Sequence, residues 1–122
     1  MLKILVVDDE PENVGLLRVV LRRQGIEVVE ANNGHDGLIL AEVETPDGVI
    51  LDWMLPDISG EEFCLRLRNH PAIAHLPILV LSALNAQNAK DKALAAGANH
   101  YMTKPANFAE LVDQIRRLSV PG

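Results

Sequence analysis

Five short apolar runs constrain this chain more than any other feature. Ile4-Leu5-Val6-Val7, Ile26-Glu27-Val28-Val29, Val49-Ile50-Leu51, Ile78-Leu79-Val80-Leu81 and His100-Tyr101-Met102 recur along it, separated by longer stretches with helical spacing. The first, third and fourth are apolar on both faces, as strands are in the middle of a parallel sheet covered on both sides. The second alternates and reads as an edge strand, and the fifth is short and weak. Residues 11–24 set Val14, Leu17 and Leu21 at helical spacing, with Arg18, Arg22 and Arg23 facing away and Gly25 ending the helix. Residues 35–43 carry Leu38, Ile39 and Ala41. Ser59, with Glu62 three residues on, fits a capping box, and that helix runs to about Asn69, before His70-Pro71. Residues 86–96 are alanine-rich and end at Gly97, and Asn107 caps a last helix that buries Leu111, Ile115 and Leu118. Strand and helix alternating five times predict an α/β domain with a parallel sheet, right-handed crossovers and helices on both faces. Gly48, ahead of the third strand, has no evident reason, because glycine weakens a strand.

With 122 residues, the chain is the size of one domain, taken as 1–122, and 48% apolar content argues against disorder. Residues 119–122 read equally as a linker stub or a frayed end. Seventeen acidic residues against eleven basic give a net charge of −6, which argues against nucleic acid as a direct partner. The single cysteine, Cys64, excludes an internal disulfide and a Cys-based zinc site. No apolar run reaches the ~18 residues of a membrane helix. The start, MLKILVVDDE, lacks a signal-peptide cleavage site, so a cytoplasmic location is expected.

In a parallel sheet the C-terminal ends of the strands share one edge, and ligands bind outside it. Asp8, Asp9 and Glu10 follow the first run, Asp52 the third, Ser82 the fourth, and Thr103, Lys104 and Pro105 the fifth. Asp8, Asp9 and Asp52 are expected to lie close together, where three carboxylates repel unless a cation sits among them. Oxygen ligands alone suit Mg2+. Acids, Mg2+, a lysine and a hydroxyl form a site for phosphoryl transfer, and a carboxylate beside the metal can be the nucleophile.

These residues resemble those of the receiver domains of two-component response regulators. The likeness rests on Asp8-Asp9, Asp52 with Leu55-Pro56 and Gly60 behind it, Ser82-Ala83 and Lys104-Pro105, in order and each at a strand end. It covers the chain from Lys3 to about Leu118. It implies a flavodoxin-like, doubly wound (βα)5 fold with a five-stranded parallel sheet in the order 2-1-3-4-5. Asp52 would be the phosphoacceptor. Asp9, Asp52 and the Met54 backbone carbonyl would ligate Mg2+, with Mn2+ as a substitute, and Asp8 would act through water or as a further ligand. Lys104, Ser82 and the Ala83 N–H would hold the phosphoryl group, and Ser82 and Tyr101 would form the switch. The Lys104–Pro105 peptide would be cis. The donor would be a phosphohistidine on a sensor histidine kinase or a histidine phosphotransfer protein. An effector domain or protein would meet the face of the fourth helix, fifth strand and fifth helix, with phosphorylation-dependent dimerisation left open. Output lies outside these residues, and the resemblance implies a switch that catalyses only its own phosphorylation and dephosphorylation.

Met54 and Leu84 depart from the family pattern. They are apolar where polar residues often flank the hydrolytic water, so slow self-dephosphorylation is expected. Several residues have plainer readings: Asp57 as a turn residue, Glu10 as a first-turn acid near enough to tune the metal site, Trp53 as packing beside the site, Cys64 as core and the arginine row as a solvated face. The histidines show no ligand spacing. A haloacid-dehalogenase-like phosphatase also uses a nucleophilic Asp with Mg2+, but generally carries Asp-x-Asp on one strand, whereas Trp53-Met54 follows Asp52. A flavodoxin-like FMN carrier is excluded on charge, because Asp8-Asp9-Glu10 would repel its phosphate.

Overall fold

The computed structural model describes residues 1–84 and 87–119. The predicted first residue of the fourth helix, Ala86, and the tail residues 120–122 lie outside them. The elements run β1 (Lys3–Val7), α1 (Pro11–Arg23), β2 (Glu27–Ala31), α2 (Gly34–Glu44), β3 (Gly48–Leu51), α3 (Gly60–Arg68), β4 (Ile78–Ser82), α4 (Gln87–Ala95), β5 (His100–Thr103) and α5 (Phe108–Ser119). The strands form one parallel sheet in the order β2-β1-β3-β4-β5. This is the expected doubly wound arrangement, with β2 at an edge.

Period-two alternation divides the apolar side chains between two cores. Leu5, Val7, Leu51, Val80 and Tyr101 face α2, α3 and α4, where Ala41, Phe63, Leu67 and Ala93 meet them. Ile4, Val6, Ile50, Leu79 and Leu81 face α1 and α5 and pack on Leu17, Leu21, Leu111 and Ile115. Each large aliphatic side chain buried this way contributes about 1.5–3 kcal/mol. Cys64 is fully buried, and burial pushes its thiol up to about 12, as suits a core residue.

The helix ends follow their local chemistry. Ser59 Oγ accepts from Glu62 N–H at 3.0 Å, and Asn107 Oδ1 from Glu110 N–H at 3.1 Å. The Glu62 carboxylate bonds Arg66 Nε at 2.8 Å rather than completing a capping box. At the end of α1, Gly25 takes φ 76 while Ile26 N–H reaches Leu21 O and Gly25 N–H reaches Arg22 O, each at 3.0 Å. Gly97 ends α4 in the same way. Both are six-to-one closures that favour a left-handed glycine.

Four details differ from expectation. The second strand begins at Glu27, since Ile26 is consumed in closing α1. Ile39 is exposed, and α2 instead buries Gly34, Gly37 and Ala41, because only small residues fit that close to the sheet. Arg18 does not simply face solvent: it bonds Glu30 of β2 at 2.5 and 2.7 Å. Gly48 has a packing reason. A Cβ there would come within 2.8 Å of Ser119 Oγ, so the last turn of α5 closes over the start of β3.

Candidate functional site

The register of the sheet builds the site. Val7 of β1 lies beside Leu51 of β3, so the residues that follow, Asp8 and Asp52, leave the sheet side by side. Their amides stay tied to the neighbouring strands: Asp8 N–H donates to Ala31 O at 3.0 Å and Asp52 N–H to Val7 O at 2.9 Å. On the other side Ser82 pairs with Thr103, and Lys104 N–H donates to Ser82 O at 2.7 Å. That places Lys104 across the crevice from the acids. Its peptide bond to Pro105 is cis.

Asp8 and Asp52 are only 3% and 4% exposed. The Lys104 ammonium lies 3.2 Å from Asp8 Oδ2, 3.0 Å from Glu10 Oε1 and 3.5 Å from Asp52 Oδ2. Asp8 is further held by Glu10 N–H at 2.8 Å and Asn13 Nδ2 at 2.5 Å. Asp52 Oδ1 accepts from Met54 N–H at 3.2 Å. Burial, with Asp8 adding to it, pushes the Asp52 carboxyl above its ordinary value, against the Met54 N–H and Lys104. Burial alone would lower Lys104, but Glu10, Asp52 and Asp8 together hold its ammonium above the usual value.

Carboxylate oxygens of Asp8, Glu10 and Asp52 lie within 4.8 Å of one another. This donor set, oxygen only and doubly buried, fits a hard divalent cation such as Mg2+. Asp8 and Asp52 therefore meet as expected, but Glu10 occupies the third position where Asp9 was expected. Asp9 is exposed and lines a groove of about 680 Å³ between α1 and α2, with Arg18 and Ile39. Asp8 lines that groove too, and the longer Glu10 folds back to Lys104. In sequence Glu10 reads as a first-turn acid near enough to tune the metal site, a reading that rests on its place in the Asp8-Asp9-Glu10 run.

Ser82 is fully buried, and its Oγ accepts from Leu84 N–H at 3.1 Å. Ala83 is exposed. Tyr101 is buried, and its hydroxyl donates to the Leu84 carbonyl. Ser82 and Tyr101 therefore hold the same residue, one through its N–H and one through its carbonyl. Met54 and Leu84 are 62% and 40% exposed at the mouth of the site. Trp53 is buried directly behind Asp52.

Asp57 is more than a turn residue. Its carboxylate accepts from the N–H groups of Gly34 and His35, both at 2.8 Å, at the start of α2. Burial would raise its pKa, but these N–H groups and those of Ile58 and Asp57 itself outweigh that and hold it at about 2. Its contribution to stability is thus fully present above the ordinary value of 3.8 and is lost as pH falls towards about 2.

The response regulator receiver domain model matches residues 4–116. Over 116 residues the chain is 40% identical to the phosphate regulon transcriptional regulatory protein PhoB of Rhizobium meliloti, covering 95% of this chain and 51% of that protein. The chain spans about half the length of the curated relatives it matches. A putative response regulator from Chloroflexus aurantiacus superposes with a TM-score of 0.92 at 38% identity, covering 96% of both chains. The receiver domain of sensor histidine kinase PA1611 from Pseudomonas aeruginosa, solved with a magnesium ion in its active-site cleft, superposes at 0.89 with 30% identity and 97% coverage of each chain. The chain belongs to the response regulator receiver domain family. It is a phosphoacceptor signalling domain of the two-component type, and its acidic cluster fits the Mg2+ site of such domains. Nothing supports the phosphatase reading.

Proposed function

We propose that this receiver domain takes a phosphoryl group onto Asp52 from a phosphohistidine donor and changes its output face in response. The observation that carries the reading is the buried Asp8–Asp52 pair with Lys104 between them and Glu10. In the transfer, a carboxylate oxygen of Asp52 attacks phosphorus, the donor's N–P bond breaks, an O–P bond forms, and the imidazole leaves with the electron pair and takes up a proton. Lys104 pairs with the arriving phosphoryl oxygens, while the Ser82 hydroxyl and Ala83 N–H donate to them. Mg2+ would be held by Asp9, Asp52 and the Met54 carbonyl, with Asp8 acting through water or as a further ligand and Glu10 near enough to join them. When bound, it offsets the negative charge that develops in phosphoryl transfer. Mn2+ has the same oxygen preference and would substitute.

Ser82 and Tyr101 both bond Leu84, so a Ser82 hydroxyl drawn to a phosphoryl oxygen gives up Leu84 N–H and disturbs the Tyr101 contact. This supports a switch that biases α4, β5 and α5 towards an effector or a second copy. The donor is a sensor histidine kinase or a histidine phosphotransfer protein, and the setting is cytoplasmic. The domain acts as a switch and catalyses only its own phosphorylation and dephosphorylation.

Beryllofluoride with Mg2+, followed by Trp53 fluorescence, tests this directly. A Mg2+-dependent change that Asp52→Asn abolishes is expected, and an equal change in that variant would overturn the reading. The exposed apolar pair at the mouth carries a second expectation. Met54→Asn with Leu84→Glu should shorten the phosphoryl lifetime by about an order of magnitude or more, by giving the hydrolytic water polar partners. Decay of the purified phosphoprotein measures it, and equal lifetimes would rule out control from these positions.

A further inference from the structure

The loop between β3 and α3 is anchored to two different helices. On one side Gly60 N–H donates to Trp53 O at 3.0 Å, and Ser59 caps α3. On the other, Asp57 takes the first two amides of α2, and its Oδ2 lies 3.1 Å from His35 Nδ1. The next two amides go to the helix's own cap residue: Asp36 N–H to Asn33 Oδ1 at 2.8 Å and Gly37 N–H to Asn33 O at 3.1 Å. Gly37 N–H makes the first regular bond of the helix, and the three amides before it, which have no partner within the helix, are all taken, two of the three by a residue 22 and 23 positions further on. The α2 dipole favours a carboxylate there.

The loop also lies directly on α2. A Cβ at Gly34 would fall 2.4 Å from Ile58 Cγ1, so a larger residue fits only if the Ile58 side chain shifts. The same helix turn is fixed against β1: a Cβ at Gly37 would meet Val7 Cγ2 at 2.9 Å, and Val7 immediately precedes Asp8. Asp57 thus completes a rigid path from Asp8 through Val7 and α2 to the loop that carries Asp52 and Met54.

We propose that Asp57 is a positioning residue for the metal and phosphoryl site, fixing the Met54 carbonyl and the Asp52 carboxylate relative to Asp8 by docking their loop on the N-terminus of α2. This rests on the metal site proposed above. A carboxylate suits the task because each of its two oxygens accepts from one N–H group, whereas an amide in the same pose would turn its own NH2 towards one of them. Supports that orient metal ligands in this way typically matter on the order of tenfold in affinity.

Calorimetric Mg2+ titration of Asp57→Ala, Asp57→Asn and Asn33→Ala tests this, with the melting temperature measured on each. Asn33→Ala removes a cap from the same helix without touching the loop. Asp57→Ala should weaken Mg2+ binding on the order of tenfold, Asp57→Asn should fall between it and wild type, and Asn33→Ala should lower the melting temperature with unchanged affinity. If Asp57→Ala does not fold, Asp57→Asn against wild type decides. Wild-type affinity in both Asp57 variants, or an equal loss in Asn33→Ala, would overturn the positioning role alone. Failure of the wild type to bind Mg2+ would overturn the metal site and the positioning role together.

Discussion

Lys104→Ala is expected to destabilise the domain by about 2–3 kcal/mol in the presence of a chelator. For a domain of this size that lowers the melting temperature by about 8–12 °C. Lys104 is the one cation within 3.5 Å of Asp8, Glu10 and Asp52 among the described residues, and its side chain is only 15% exposed. Removing it leaves two buried carboxylates facing each other without a counter-charge, which costs far more than losing a surface pair. Saturating Mg2+ should restore much of the loss, because a ligand that binds only the folded state stabilises it by mass action. Thermal unfolding with and without Mg2+ measures both effects. A melting temperature unchanged by the substitution would show that the three carboxylates do not depend on the lysine.

Asp52→Asn should shift stability the other way. Without a divalent cation it should raise the melting temperature by about 3–5 °C, corresponding to roughly 1 kcal/mol. Burial and Asp8 hold the Asp52 carboxyl above its ordinary value in the folded state. The folded state therefore binds this proton more readily than the unfolded state does. Stability from this group is highest at low pH and falls as pH rises from the ordinary value of 3.8 through the raised folded value. At neutral pH the charged carboxylate costs stability, and an amide removes that cost. The advantage of Asp52→Asn should vanish as pH falls below the ordinary carboxylate range. Asp9→Asn, at an exposed position, should change the melting temperature little. A clear drop for Asp52→Asn at neutral pH would contradict a crowded acidic crevice.

The fold was legible because its signals are local. The two-sided apolar runs became β1, β3 and β4, Ser59 and Asn107 cap as their types suggest, and Gly25 and Gly97 end their helices. The polar residues at the strand ends were equally readable, since a parallel sheet sends them to one edge. What stayed hidden depends on contacts between distant segments. Nothing in the local sequence of Asp57 says that it caps a helix 22 residues earlier. Arg18 looks like its neighbours on α1 until β2 brings Glu30 to it. Gly48 is a weak strand residue until α5 lays Ser119 across it. Glu10 and Asp9 are both acids after a strand, and only the structure shows that the longer Glu10 reaches Lys104 while Asp9 is exposed.

The central claim is that Asp52 accepts a phosphoryl group in a Mg2+-dependent reaction. Peptide mapping by mass spectrometry after incubation with acetyl phosphate tests it most directly, with wild type in Mg2+, wild type in chelator, and Asp52→Asn in Mg2+. The expected result is one phosphoryl group on the peptide containing Asp52, seen in wild type with Mg2+ and in neither of the other two samples. Equal labelling of Asp52→Asn, or labelling of wild type that survives chelation, would contradict it.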